Sequence, residues 1–233
     1  MTTLVLLPGL DGTGTLFQPL LRALPAGWRT CVVSYPVDAK ADYDALTRAA
    51  TQALPADGRI VLLGESFSGP VAIRLAAALG SRLQALLLCC SFARNPRPRL
   101  LPLGGLISWL PSPGLLPSRL VERMLLGGRS PAESRALLSA ALASLPAAVL
   151  QARLRMVMAV DVTPELAAVT APVLYLRAGQ DRLVPSSAAV DVQQHCPQAI
   201  VTRLAGPHGL LQAEPVASAA AMTSFLAGLA RAS

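Results

Sequence analysis

One stretch of this chain, residues 59–80, constrains the fold more than any other. An apolar run typical of a β-strand leads into the hexapeptide Gly64-Glu65-Ser66-Phe67-Ser68-Gly69, and a helix-type run that ends at Gly80 follows. A strand that turns this sharply into a helix needs small residues beside the turn, and Gly64 and Ser68 meet that need. The pattern predicts a strand–turn–helix unit that holds the Ser66 hydroxyl clear of the sheet. The alternative is a Gly/Ser-rich turn without chemistry.

Most of the chain repeats this alternation of strand-like and helix-like runs. Continuously apolar strands joined by helices indicate a parallel sheet that is covered on both faces. With 233 residues, of which 53% are hydrophobic, the chain is long enough to build a full core. We therefore predict an α/β fold with a mostly parallel sheet and helices on both faces. The strands are expected near residues 4–7, 29–34, 59–63, 83–90, 172–177 and 199–204.

Residues 94–160 interrupt the alternation. They contain eight prolines, no convincing strand and four helix-like pieces, near residues 100–110, 115–126, 131–145 and 147–160. Roughly 65 residues between two sheet strands are too many for an ordinary connection. We predict a helical lid at 94–160, inserted into a core formed by residues 1–93 and 161–233.

The formal charge of +7 falls entirely within this insertion. Residues 94–160 contain nine arginines and two glutamates, whereas the rest of the chain has eleven basic and eleven acidic residues. A basic surface beside a site would attract and orient an acidic macromolecule such as an acyl carrier protein. The equally open alternative is that the arginines only solubilise an apolar lid. The docking candidates near two predicted helices are Arg119, Arg123, Arg129, Arg153 and Arg155.

The Ser66 hydroxyl needs a base and an orienting acid to act as a nucleophile. Of the two histidines in the chain, His195 ends a predicted helix, whereas His208 follows the last predicted strand. Asp181 follows the strand before it. The carboxyl ends of parallel strands share one edge, so the order Ser66, Asp181, His208 predicts a catalytic triad there. Each residue alone could be an ordinary turn or loop residue, and the joint pattern carries the prediction.

The intermediate of such a reaction needs amide donors for its oxyanion. Phe67 follows the nucleophile directly, and Leu10 lies in the loop after the first strand. We expect the neighbouring Asp11 to cap the turn at residues 12–14 rather than to act as an acid. A few apolar lid residues are expected to line an acyl slot above Ser66. The candidates for that slot are Leu106, Trp109 and Leu110.

The sequence lacks the motifs that are typical of several other classes of function. The chain has no P-loop, no G-x-G-x-x-G and no His/Cys metal spacing, so we expect neither a cofactor nor a metal. The insertion has a single tryptophan and no basic–aromatic pattern, which argues against nucleic-acid binding. No apolar run reaches the ~18 residues of a membrane span. Four cysteines without ligand spacing fit a reducing cytoplasm.

With these motifs the chain resembles the serine esterases of the α/β-hydrolase superfamily. Leu7-Pro8-Gly9-Leu10 stands where that family has a His-Gly oxyanion motif, with proline in place of histidine. The size, the minimal core and the helical lid are most similar to the pimeloyl-acyl-carrier-protein methyl ester esterases of biotin synthesis. That resemblance implies demethylation of a carrier-bound ester. The alternatives are a generic small- or medium-chain carboxylesterase and a hydrolase-fold ligand-binding protein with little turnover.

The superfamily also contains enzymes that are not esterases. Haloalkane dehalogenases and epoxide hydrolases use aspartate as the nucleophile, and Ser66 argues against both. Lyases, cofactor-free peroxidases and hydrolase-fold receptors keep the serine triad, so the fold alone does not define the activity.

Overall fold

A computed structural model of the chain describes residues 1–98, 118–128 and 130–232. Its strands are β1 (Thr2–Leu7), β2 (Arg29–Val32), β3 (Arg59–Glu65), β4 (Leu83–Cys89), β5 (Val173–Ala178) and β6 (Ile200–Leu204). Its α-helices are α1 (Gln18–Ala23), α2 (Tyr43–Ala53), α3 (Gly69–Leu79), α4 (Ser118–Leu125), α5 (Ala132–Ala143), α6 (Ala147–Ala159), α7 (Thr163–Ala167), α8 (Ser187–His195), α9 (Leu210–Ala213) and α10 (Pro215–Ala232).

The six strands form one parallel sheet in the order β2-β1-β3-β4-β5-β6. The chain first places β2 on one side of β1 and then crosses back to place β3 on the other side. The strand order therefore reverses between β1 and β3, and such a switch point leaves a crevice at the carboxyl ends of the strands. The hexapeptide around Ser66 begins within β3 and continues into α3 at this crevice. The predicted α/β fold with a mostly parallel sheet is confirmed.

Both faces of the sheet are buried, which explains why its central strands are continuously apolar. Alternate residues of a strand point to opposite faces. Val5 and Leu62 join a core cluster that includes residues of α2 and α3. Leu6 and Leu63 join a second cluster that includes residues of α1 and α10.

The described part of the insertion is helical, in agreement with the absence of strand signals there. Helices α4, α5 and α6 correspond to three of the predicted helical pieces. Arg94 and Asp161 form an isolated antiparallel bridge, so the two ends of the segment lie side by side. The division into a core of 1–93 and 161–233 and a lid of 94–160 stays a prediction. The fourth helical piece, near residues 100–110, lies outside the described residues together with Leu106, Trp109 and Leu110.

Within the described ranges, no single helix is both long and apolar enough to cross a membrane. One bent pair, Ala132–Ala143 with Ala147–Ala159, meets the criteria of length and composition together, with a bend of 99° between the two helices.

Candidate active site

The turn between β3 and α3 holds Ser66 in a strained backbone conformation. Ser66 has φ 49°, in the left-handed region that non-glycine residues rarely adopt. A Cβ atom on Gly64 would lie 2.7 Å from the Ala72 Cβ, so only glycine fits there. The turn itself is a short 3-10 helix, Ser66–Ser68. This is the sharp turn that the hexapeptide predicts.

Ser68, which replaces the usual glycine of the motif, has a specific partner. Its Oγ donates to the Pro8 carbonyl oxygen. It lies 2.6 Å from the Tyr35 hydroxyl, which must then be the donor of that second bond because a serine has only one O–H. The Ser68 side chain therefore ties the turn to the loop after β1. Nothing in the sequence pointed to this link, because residues 8, 35 and 68 are distant in the chain.

The backbone carbonyls of the turn are also held in place. Ser91 Oγ donates to the Ser66 carbonyl at 2.5 Å, and the Tyr43 hydroxyl donates to the Phe67 carbonyl at 3.1 Å. Because both acceptors are paired, the amide of Phe67 has little freedom to reorient.

The structure brings the three predicted catalytic residues into one hydrogen-bonded row. Ser66 Oγ lies 2.8 Å from His208 Nε2. His208 Nδ1 lies 2.9 Å from Asp181 Oδ2 and 3.0 Å from Oδ1. The imidazole and the carboxylate are almost fully buried, with side-chain exposures of 6% and 5%. In this row, Nδ1 carries the proton toward the carboxylate, and Nε2 is free to accept the proton of the serine.

The carboxylate of Asp181 is kept in its ionised form. Burial alone would raise its pKa, but the hydrogen bond from His208 and two backbone amides lower the pKa below its ordinary value. Those amides belong to Leu183 and Val184, and they donate to Oδ1 at 2.8 and 2.9 Å. The geometry therefore supplies a charged carboxylate that orients the imidazole of His208.

The loop after β1 presents Leu10 to the same space. A turn closes when the Gly12 amide donates to the Gly9 carbonyl at 3.0 Å. Asp11 Oδ2 accepts from the Thr13 amide at 2.9 Å and from its hydroxyl at 2.5 Å, so the expected capping role of Asp11 is confirmed. Leu10 and Phe67 line one cavity together with Ser66 and His208. Their roles as oxyanion donors stay a prediction.

This cavity has a volume of about 450 Å³, and its walls are mostly apolar. Helix α6 contributes one face of three residues at helical spacing, Leu154, Val157 and Met158. These wall residues of α6 are not among the predicted ones, which were Leu106, Trp109 and Leu110. The spacing of the three residues was the available signal, but it did not show that this face of α6 covers the serine. The other apolar wall residues are Phe92, Pro96, Met124, Leu183 and Val184.

Comparison with known families agrees with this geometry. A family model described as "Alpha/beta hydrolase family" matches residues 4–221. The chain belongs to the alpha/beta hydrolase family. No curated protein matches its sequence.

Solved structures share the fold of this hydrolase across almost its whole length. An esterase from Exiguobacterium antarcticum is 16% identical with a TM-score of 0.80, and the match covers 97% of this chain and 92% of the esterase. An esterase from a Rhodococcus species is 22% identical with a TM-score of 0.75, covering 98% and 91%. A bromoperoxidase from Bacillus anthracis is 16% identical with a TM-score of 0.76, covering 97% and 91%. At these identities the likeness shows a common fold.

One of the five arginines predicted to dock a partner of the hydrolase is not on its surface. Arg153 is buried, with 3% of its surface exposed, and its guanidinium donates to the carbonyls of Leu10 and Pro36. A side chain enclosed in this way cannot contact a partner protein, so the docking prediction is wrong for Arg153. Arg119, Arg123 and Arg155 are exposed, and Arg129 lies outside the described residues.

Four arginines line a second cavity of about 550 Å³ beside the active site. They come from α4, α5 and the loop after β5, and Glu122 is the acidic residue among the lining side chains. Arg135 Nε pairs with this glutamate at 3.2 Å. Pro207, which precedes His208, also lines the cavity, and Arg182 lines both cavities. We call this second cavity the basic groove; its arginines are Arg119, Arg123, Arg135 and Arg182.

Glu65, the residue before the serine, is a buried carboxyl beneath the site. Its Oε1 accepts from Gln212 Nε2 at 2.9 Å. Burial is the main cause that raises its pKa to about 7, and the nearby charge of Asp11 adds to the effect. Both carboxyl groups flank Gly9 in the loop after β1. The motif at residues 64–69 shows that Glu65 precedes the serine, but not that its carboxyl group is buried.

One group of residues has donor atoms suited to a metal. Cys90 Sγ, a carboxylate oxygen of Asp181 and a ring nitrogen of His208 lie within 4.8 Å of one another. The Asp181 carboxylate already accepts from His208 and from two backbone amides. A metal bound there would have to displace the bond that orients the imidazole, so these donors fit proton transfer better than metal binding.

Proposed function

We propose that this hydrolase cleaves carboxylic esters through a covalent acyl-enzyme. The row formed by Ser66, His208 and Asp181 carries the proposal, because its geometry suits removal of the serine proton by the imidazole. Ser66 Oγ attacks the ester carbonyl carbon while His208 Nε2 accepts the serine proton. Loss of the alcohol, which takes that proton from His208, leaves the acyl group on Ser66. A water molecule then gives a proton to His208 and attacks the acyl carbon. His208 returns this proton to Ser66 Oγ as the acid leaves.

The remaining parts of the site have roles in the same scheme. Asp181 orients His208 and stabilises the imidazolium that forms during each step. The amides of Leu10 and Phe67 are the proposed donors to the oxyanion, which needs preorganised N–H groups. The position of both residues around the cavity of Ser66 supports this assignment.

The cavity supports an apolar acyl chain as the substrate group. Each methylene that enters such a pocket contributes about 0.8 kcal/mol until the pocket is full. We therefore propose a preference for medium chains over acetyl. We also propose that residues 94–160 act as a lid, because Met124 of α4 and the face of α6 form part of the cavity wall.

The reaction is tested with p-nitrophenyl esters from acetate to octanoate. Ser66→Ala and His208→Ala should each lower kcat by several orders of magnitude, whereas exposed Ser139→Ala on α5 should leave it unchanged. Rates should rise with chain length. Equal rates for the wild type and both active-site variants would refute an esterase mechanism and favour a ligand-binding protein.

The finer proposal is that the ester is methyl pimeloyl held on an acyl carrier protein, with methanol as the leaving group in biotin synthesis. The basic groove supports this substrate, because an acidic carrier bound there would lie beside the cavity of Ser66. Arg182 lines both spaces, so the basic groove and the cavity of Ser66 adjoin at this residue. Electrostatic complementarity of this kind mainly increases the rate of association.

Carrier dependence is tested by comparing methyl pimeloyl on the carrier with the free dimethyl ester. The carrier-bound kcat/KM should fall with rising salt and with Arg123→Glu, while hydrolysis of the free ester should not change. Arg48→Glu is the matched control, since Arg48 is exposed on α2 outside the groove. If the carrier confers no advantage at low salt, the protein is a general carboxylesterase.

A further inference from the structure

Arg153 is a buried cation that none of the proposed catalytic steps uses. Its Nη1 donates to the Leu10 carbonyl at 2.8 Å, and its Nη2 donates to the Pro36 carbonyl at 3.1 Å. Its Cζ lies 5.9 Å from the centroids of the Phe67 and Tyr35 rings. The side chain thus reaches from α6 of the insertion to both loops that provide the proposed oxyanion donors.

The surroundings of the guanidinium are shaped to admit it. Gly12 has φ +72°, and a Cβ atom there would lie 2.8 Å from Arg153 Cζ. The Phe67 ring is stacked on Tyr43 at a centroid distance of 5.1 Å and is therefore held from another side as well. Glycine at position 12 therefore leaves room for the planar guanidinium, whereas a residue with a Cβ atom would collide with it.

Stability alone does not explain a charge in this place. The two hydrogen bonds of the guanidinium end on neutral carbonyls, and no ion pair within the described parts of the chain includes it. Burial lowers the pKa of Arg153, and the charge of Asp11 offsets part of that effect. An apolar residue of similar volume avoids the desolvation cost of a buried charge. The contacts with the Leu10 and Phe67 loops therefore point to a role in the active site.

We propose that Arg153 is a positioning residue for the oxyanion hole. This inference rests on the proposed ester hydrolysis. Leu10 lies between two peptide groups, and each is held by one hydrogen bond. The Gly12 amide holds the carbonyl of the first peptide, and Arg153 holds the carbonyl of the second. A trans peptide is planar, so the bond to the Gly9 carbonyl fixes the direction of the Leu10 N–H, which belongs to the same peptide. The bond from Arg153 fixes the following peptide and so limits the backbone rotation at Leu10 that would tilt this N–H.

The same contacts couple the insertion to the chemistry. Arg153 belongs to α6, whose other residues, Leu154 and Val157, form part of the cavity wall. Since the guanidinium reaches Leu10 only when α6 packs on the core, the oxyanion hole is complete only with the lid helix in place.

The test compares Arg153→Met, Arg153→Lys and Arg153→Ala with the wild type on p-nitrophenyl butyrate. Arg153→Met removes the charge and both donors, and we expect kcat to fall 30- to 100-fold with KM changed less than threefold. Arg153→Lys keeps the charge but not the planar pair of donors, so its loss should be smaller. Added guanidinium at millimolar concentration should recover part of the lost kcat in Arg153→Ala. Arg48→Met, at an exposed position of α2, is the control that should match the wild type.

Two further measurements distinguish an effect of these substitutions on folding from an effect on catalysis. Thermal melting shows which variants fold, and the phosphonylation rate of Ser66 by a fluorophosphonate reports on the hole without an ester substrate. Wild-type kcat in a folded Arg153→Met or Arg153→Lys variant overturns the proposal, and so does a change in KM alone. Failure of the proposed function gives a different result, in which the wild type and Ser66→Ala hydrolyse esters at equal rates. Failure of the Arg153 proposal alone leaves Ser66→Ala inactive and the Arg153 variants as active as the wild type.

Discussion

Replacing Glu65 by glutamine should change how the stability of the protein depends on pH. Glu65 is buried with a pKa of about 7, against 4.5 for the ordinary side chain. An acid with a raised folded-state pKa gives its full contribution to stability below pH 4.5. That contribution is lost as the pH rises toward 7, because the unfolded chain releases the proton first. Glu65→Gln removes this titration and keeps the oxygen that accepts from Gln212.

The size of the effect follows from the difference between the two pKa values. A shift of about 2.5 units corresponds to roughly 3.4 kcal/mol, and about 2.5 kcal/mol of that falls between pH 5 and pH 8. The free energy of unfolding of the wild type should fall by this amount relative to Glu65→Gln over that range. With a urea m-value of about 2 kcal/mol/M, the two midpoints should move apart by roughly 1 M.

The assay is urea unfolding of both proteins at several pH values between 5 and 8. Glu214→Gln is the matched control, because Glu214 is exposed and the same substitution there leaves the carboxyl of Glu65 in place. If the stability curves of wild type and Glu65→Gln run parallel across this range, Glu65 does not titrate in the folded protein as its burial requires.

Three further changes test other parts of the site. Ser68→Ala leaves the Pro8 carbonyl oxygen and the Tyr35 hydroxyl buried without this partner. The free energy of unfolding should therefore fall by about 1–3 kcal/mol in urea titrations, and Ser144→Ala at the surface serves for comparison. Asp181→Asn should lower kcat about 10⁴-fold without unfolding the protein, because it disturbs the tautomer of His208, and retention of more than a tenth of the rate would contradict a triad. Val157→Trp should fill part of the cavity and reduce hydrolysis of octanoate far more than that of acetate, whereas an equal loss for both esters would show that Val157 does not face the acyl chain.

Local patterns in the sequence were sufficient to predict the sheet, the sharp turn and the row of three side chains. Each of these depends on short-range features: apolar strands, small residues at positions 64 and 68, and polar residues in the loop after a strand. Parallel strands bring their carboxyl ends to one edge whatever the details of packing. The meeting of Ser66, His208 and Asp181 therefore needed only the correct order of elements.

The contacts across the crevice were decided by the tertiary structure. Arg153 is one of nine arginines in the insertion, and no neighbour in the sequence distinguishes it from exposed Arg155, two residues further along the same helix. A rotation of about 200° around the helix separates the two positions, and packing of α6 on the core decides which of them is buried. The link from Ser68 to Pro8 and the raised pKa of Glu65 have the same origin. The first requires two distant segments to meet, and the second requires distant segments to exclude water from a carboxyl group. Both follow from three-dimensional packing rather than from local sequence.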